Sequence, residues 1–176
     1  MMMTSIETRR FFVVGFMGAG KTTLARLVSE RLSVRCFDLD ALIEEKTGSS
    51  IPELFSRQGE AAFRELESDV LRDLIDAGAT GIIATGGGTF AIEGNRNLMM
   101  DSGITIWLDV PAERLLERVN GEHRPLWSSE TEVRDLFDKR CASYRLATHQ
   151  LELRNDSLEE AAERLYQLII TYRDVT

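Results

Sequence analysis

The chain has 176 residues, 43% of them hydrophobic and 28% charged, which is enough apolar material for one packed domain. Its formal charge of -8 argues against a surface built for nonspecific contact with DNA or RNA, which needs basic patches, so an anionic substrate must be met by a few locally placed Arg or Lys. No apolar run approaches the roughly 20 residues of a membrane span, and Cys36 and Cys141 form no C-x-x-C pair, so both read as small buried hydrophobes rather than a disulfide or zinc framework.

Residues 1–9 read as a frayed tail. The stretch "RRFFVVGFMGAG" places two arginines before an apolar run, as an export signal does. Lys21 follows directly, however, with no polar spacer or A-x-A site, so the run reads as structure. Residues 11–14 form a short buried strand ending at Gly15. A helical stripe of Leu24, Leu27, Val28 and Leu32 follows over 22–32. A second strand at 34–37 runs into "DLD", and a helix over 41–47 is stopped by Gly48. "SIPE" at 50–53 is a capping box for a longer helix, with Phe63, Leu66, Val70 and Leu74 on one face and Gly78 at its end. A third strand at 81–84 leads into "TGGGTF", and a fourth spans 104–108. Pro111 starts a helix running to 119. The stretch "NGEHRPLWSSE", about 120–130, breaks all periodicity and is a candidate lid. Residues 133–144 are helical, 151–153 form a fifth strand, and "SLEE" caps a last helix to about 171. Strands alternating with helices imply a parallel sheet covered on both faces. With no repeat or linker, residues 1–176 make one α/β domain.

Gly15-x-x-x-x-Gly20-Lys21-Thr22 is a full phosphate-gripping (Walker A) pattern between a strand and a helix. Its glycines let backbone N–H groups point inward at phosphate oxygens, and the helix beginning at Thr22 adds its positive end. Lys21 reaches the β- and γ-phosphates, and the Thr22 hydroxyl is a magnesium ligand. Two strand ends supply carboxylates. Asp38 and Asp40, two apart in extended chain, point the same way, so that one holds a metal-bound water while the other faces an acceptor. Asp40 also reads as an N-cap for the following helix. Asp109, after an apolar strand, has the form of a second metal carboxylate but reads better as a cap before Pro111.

The triplet Gly86, Gly87 and Gly88 costs more backbone entropy than a plain turn requires, and suggests close approach of something to the backbone. Arg64 borders a buried stripe, where an i,i+4 pair with Glu60 is the plain alternative. Arg145 follows Cys141 by four and abuts the apolar side of its helix. Two such arginines and a glycine triplet would make a pocket for a small carboxylate. Arg124 lies in the candidate lid, where an arginine near a γ-phosphate would stabilise transferred charge. His123 beside it reads as a solvated loop residue.

"GFMGAGKTT", "FDLD", "SIPELF…GEAAFRELE", "ATGGG", "RPL" and "YR" occur in an order and at a spacing that resembles the shikimate kinases, from Phe11 to about Ile170. The resemblance implies a five-stranded parallel sheet of the nucleoside-monophosphate-kinase type with a mobile lid. It implies transfer of the ATP γ-phosphate to the 3-hydroxyl of shikimate on the route to chorismate and aromatic amino acids, by a cytoplasmic monomer. Carried onto these positions, it implies that Gly18, Ala19, Gly20, Lys21, Thr22 and Thr23 bind ATP, with Thr22 and Asp38 at Mg2+. Asp40 then takes the hydroxyl proton. Arg64 and Arg145 clamp the shikimate carboxylate, and Gly86, Gly87 and Gly88 contact the ring. Phe55 and Phe63 wall the pocket. Arg124 is the lid arginine, and Arg118 flanks the adenine. "LELRNDS" departs from the family's D-T-type adenine turn, so Arg154 and Asn155 carry no assignment. A gluconate-type kinase and a catalytically silent relative remain as alternatives. A nucleotide kinase lacks its D-G-F/Y-P-R stretch here, and a GTP switch lacks its N-K-x-D reader.

Overall fold

The computed structural model describes residues 6–120 and 130–173. Five strands, β1 (Arg10–Val14), β2 (Cys36–Asp38), β3 (Gly81–Ala84), β4 (Ile104–Asp109) and β5 (His149–Glu152), pair in parallel in the order β2-β3-β1-β4-β5. Phe12 of β1 lies opposite Ile83 on one side and Thr105 on the other. Phe11, Phe12, Val13 and Val14 have no solvent exposure at all. A central strand covered on both faces needs apolar residues at every position, which is why this segment is a continuous run and not an alternation.

Helices α1 (Lys21–Leu32), α2 (Leu39–Thr47), α3 (Ile51–Asp76), α4 (Glu93–Ser102), α5 (Ala112–Asn120) and α6 (Glu130–Tyr144) make the crossovers, with a 3-10 turn at Thr89–Ala91, and α7 (Leu158–Ile170) follows the last strand. Their ends follow local chemistry. Gly48 closes α2 in the left-handed conformation. Glu53 accepts from the Ser50 backbone N–H at 2.9 Å at the start of α3, and Ser157 and Glu160 exchange bonds at the start of α7. Gly59 kinks α3. Because all strands are parallel, the loops after β1, β2, β3 and β4 emerge on one side. They carry residues 15–20, Asp38, the glycine triplet and Asp109. The order places β3 and β4 on opposite sides of β1, the switch point where open α/β sheets form their binding crevice. At the other end, the Arg10 guanidinium donates to the carbonyls of Ile75, Ala79 and Ser102 and ties the ends of α3 and α4 to β1.

The structure corrects several sequence expectations. Residues 6–9 are not tail: Ile6 is 2% exposed in the core, and the Arg9 carbonyl accepts from Gly81 N–H. Cys141 is buried as expected, but Cys36 is exposed, because β2 is an edge strand with only β3 beside it. Helix α4 escapes the periodicity reading, since the large apolar residues of EGNRNLMMDS are only the consecutive Leu98, Met99 and Met100, and it buries only Asn95 and Met99. Asp109 ends β4 and accepts from Gln150 Nε2 at 2.7 Å across to β5.

Gly81 starts β3 at φ 125°, and a Cβ there would lie 2.2 Å from the Arg35 carbonyl oxygen. Both the backbone angle and the contact exclude a side chain, and the neighbour is backbone that cannot swing away. Gly81→Ala should therefore lower stability by at least about 2 kcal/mol, read by urea denaturation.

Candidate functional site

The loop after β1 is wound around a carbonyl. Phe16 O accepts from Ala19 N–H at 3.3 Å and from Lys21 Nζ at 2.8 Å. Gly15, Gly18 and Gly20 all take positive φ, which is what lets the chain curl. Lys21 is 8% exposed, so its ammonium lies folded into the loop. Thr22 and Thr23 are exposed in the first turn of α1. Arg118, on α5, donates from Nη1 to the Gly18 carbonyl at 2.9 Å, which ties it to the phosphate loop.

Thr22 Oγ1 donates to Asp38 Oδ2 at 2.5 Å. The other oxygen, Asp38 Oδ1, accepts from the backbone N–H groups of Asp40 and Ala41. Asp38, not Asp40, is thus the N-cap of α2. The expectation that both carboxylates point the same way from extended chain fails because the helix begins at Leu39. Asp40 sits instead in the first turn of α2. Its Oδ1 faces Gly86, 3.0 Å from where a Cβ would stand.

The glycine triplet is crowded on every side. A Cβ on Gly86 would meet Glu67 Oε1 at 2.2 Å, one on Gly87 the Met17 N–H nitrogen at 3.0 Å, and one on Gly88 Arg64 Nη1 at 2.6 Å. Glu67 has no solvent exposure. Its Oε2 accepts from Arg64 Nη1 at 2.8 Å and its Oε1 from Thr89 Oγ1 at 2.5 Å. The Glu60 pair with Arg64 is also present, at 3.3 Å, but the buried Glu67 is the nearer partner. Burial opposes the charge on Arg64, yet the two glutamates raise its pKa above the ordinary value. The guanidinium also lies over the rings of Phe63 and Phe55, at 5.3 and 5.9 Å, and those rings stand 4.4 Å apart.

Arg145 does not join this group. It is exposed, one residue past the end of α6, in a turn closed by Leu146 N–H to Ser143 O, and makes no hydrogen bond or salt bridge to the described residues of this group. Arg140 takes that place. It is 8% exposed and donates from Nη1 to Gly87 O at 3.3 Å, where Tyr144 Oη also donates at 2.5 Å. Burial lowers the Arg140 pKa and raises that of Tyr144, and the charge of Arg64 lowers Arg140 further. Among the described residues no carboxylate forms a salt bridge with Arg140. The sequence reading missed both Arg140 and Glu67. The signal lay in the buried stripes: Val133, Phe137, Arg140 and Tyr144 follow helical spacing, as do Phe63, Glu67 and Val70. A charged residue in the middle of such a stripe is the informative exception.

Residues 121–129, with His123, Arg124 and most of the candidate lid, lie outside the described residues. Arg154 and Asn155 line a cleft with Asp109, Arg114 and Phe137 beyond the end of β5.

The shikimate kinase family model matches residues 17–170. The chain belongs to the shikimate kinase family. It is similar to the shikimate kinase of Synechococcus sp. (strain CC9605), 39% identical over 93% of this chain and 84% of that one. Among solved structures it resembles shikimate kinase from Acinetobacter baumannii in complex with shikimate. That match has a TM-score of 0.87 at 35% identity, over 98% of both chains. The enzyme from Aquifex aeolicus matches at a TM-score of 0.79 and 34% identity, over 92% of this chain and 96% of that one. The chain is an ATP-dependent kinase of this family, and its fold is the family's five-stranded parallel sheet.

Glu67→Gln removes the charge that holds Arg64 while keeping the shape. Half of the pair stays buried without its partner. Allowing for the exposure of Arg64 and its second pair with Glu60, the loss of stability should be about 2–3 kcal/mol by urea denaturation.

Proposed function

We propose that the chain moves the γ-phosphate of ATP to the 3-hydroxyl of shikimate, with Arg64 and Arg140 holding the acceptor's carboxylate. The observation that carries this reading is the Arg140 guanidinium. It is buried, it faces the repulsion of Arg64, and no described carboxylate pairs with it. A site that gathers two cations beside a glycine triplet favours a small anion of matching planar geometry. The Acinetobacter baumannii relative, solved in complex with shikimate, supports the same acceptor. Phe55 and Phe63 wall the pocket, and Gly86, Gly87 and Gly88 let the ring approach the backbone.

In the transfer, the 3-hydroxyl oxygen bonds to the γ-phosphorus as the bond to the β,γ-bridging oxygen breaks and ADP leaves. The hydroxyl proton passes to Asp40, which faces the same triplet. Backbone N–H groups of Gly18, Ala19 and Gly20 and the first turn of α1, with Thr22 and Thr23, hold the phosphates. Lys21 exchanges the Phe16 carbonyl for phosphate oxygens. Thr22 Oγ1 and Asp38 Oδ2 are hard oxygen donors that converge, and among the described residues no cluster of three acidic, His or Cys side chains could hold a metal alone. That donor set fits Mg2+, which keeps waters and phosphate oxygens in its shell. Thr22 and, through water, Asp38 would hold it. When bound, the ion neutralises charge on the phosphates. Arg118 flanks the adenine. Arg124, in the candidate lid sequence, would stabilise charge at the γ-phosphate, and the enzyme acts as a cytoplasmic monomer. Among the described residues no helix is long and apolar enough to cross a membrane.

Replacing the shikimate carboxylate by an amide should lower kcat/KM by the equivalent of about 2–5 kcal/mol. Arg140→Ala should raise the shikimate KM strongly, whereas Arg145→Ala should stay within about twofold of the parent, as for an exposed side chain. Equal turnover of acid and amide would remove the clamp. Asp40→Asn should lower kcat by about 10²–10⁴-fold with the fold intact by circular dichroism. A near-normal kcat would assign the proton elsewhere.

A further inference from the structure

Phe16 touches both halves of the site. Its carbonyl oxygen holds Lys21 Nζ at 2.8 Å, on the nucleotide side. Its ring, 1% exposed, lies 5.7 Å from the Arg140 guanidinium carbon, on the acceptor side. The same ring packs edge-on against Phe137 of α6 at 5.4 Å and 82°. Arg140 in turn holds the Gly87 carbonyl, and the Gly87 backbone lies against Met17, the next residue of the phosphate loop. A closed circuit of contacts thus runs from Lys21 through Phe16 to Arg140, on to Gly87, and back to the loop.

We infer that Phe16 is a positioning residue through which nucleotide binding sets the geometry of Arg140, and so couples the two substrate sites. The inference rests on the reading of Arg140 as an acceptor-binding group. When phosphate oxygens draw the Lys21 ammonium away, the Phe16 carbonyl gives up a charged donor. The peptide it belongs to is then rebalanced between the remaining bond to Ala19 N–H and its neighbours. The side chain moves with its own backbone, and packing around a ring this buried leaves it little freedom to move alone. The guanidinium stacked on that ring follows. Because a cation over an aromatic face is directional, a small ring movement changes where the Arg140 fork points. By linkage, shikimate must strengthen nucleotide binding by the same factor as nucleotide strengthens shikimate binding.

The test is titration calorimetry of shikimate into the full chain, alone and saturated with the Mg2+ complex of the β,γ-imido analogue of ATP. The wild-type ratio of shikimate Kd without and with nucleotide should be about fivefold or more, and the reverse titration should return the same ratio. Phe16→Leu keeps an apolar side chain but removes the π face. Its ratio should fall below about twofold, while Phe16→Tyr, which keeps the ring, should restore most of it. A wild-type ratio of one, or a ratio unchanged in Phe16→Leu, overturns the inference. If Phe16→Leu does not fold, Phe137→Leu removes the ring that braces Phe16 and must also lower the ratio; an unchanged ratio there is equally fatal. An Arg140→Lys arm separates this inference from the reading beneath it. If Arg140→Lys leaves shikimate affinity without nucleotide intact, the acceptor-site reading fails. If that affinity drops but Phe16→Leu keeps full coupling, only the role of Phe16 fails.

Discussion

A carboxylate with no access to water stands behind the acceptor side of this molecule. Both oxygens of Glu67 are committed, one to Arg64 and one to Thr89, and its Oε1 lies where a Gly86 side chain would be. Taking such a charge out of water costs several kcal/mol unless partners restore what solvation provided. Arg64 and Thr89 restore it, and in doing so they fix α3, the glycine triplet and the 3-10 turn against one another. Gly86 and Gly88 carry no side chains because this cluster occupies their space, and at Gly87 the Met17 backbone does the same. Arg64 gains a direction it would not hold on an exposed helix, where an i,i+4 pair alone contributes only a few tenths of a kcal/mol. These groups hold one another in place, which on the proposed reading spares a planar anion a large ordering cost on binding.

The nucleotide side is organised by backbone instead. Positive-φ glycines at 15, 18 and 20 curl the loop around the Phe16 carbonyl, and the first turn of α1 faces the same space. Asp38 joins the two sides. One oxygen caps α2, which carries Asp40 toward the triplet, and the other accepts from Thr22 at the foot of the phosphate loop. A single side chain thereby links Thr22, the proposed metal ligand, to Asp40, which faces the triplet. Arg140 completes the frame from α6, held by the Gly87 carbonyl on one side and the Phe16 ring on the other. The ends of three strands, β1, β2 and β3, and the helices α1, α2, α3 and α6 contribute these groups, on the side where the carboxyl ends of one parallel sheet emerge.

What the sequence made legible was local. The phosphate loop, the strand ends, the capping boxes and the closing Gly48 each carry their cause within a few residues. The five strands, all parallel, follow from alternation with helices. The failures came where distant packing decides. Arg145 follows Cys141 by one turn, but α6 ends at Tyr144 and Arg145 stands exposed beyond it. Arg140, central in the buried stripe, was the better choice by the same geometry. Glu67 was passed over because a glutamate in a helix usually faces water, and nothing nearby in sequence announces Thr89 as its partner. Extended spacing puts Asp38 and Asp40 on one side, but the helix begins at Leu39, two residues before the expected start, and Asp38 becomes the cap. Helix α4 has too few apolar residues to show a period, and Ile6 is a lone apolar residue in an otherwise polar run.

We propose that Arg64 and Arg140, not Arg145, meet the acceptor's carboxylate at a site prearranged by Glu67. The most direct measurement is a crystal structure of this chain with shikimate and ADP bound. The account predicts the carboxylate between the guanidinium groups of Arg64 and Arg140, the 3-hydroxyl on Asp40, and Arg64 still on Glu67. A carboxylate bound at Arg145, or an Arg64 that leaves Glu67 to reach the ligand, would contradict it.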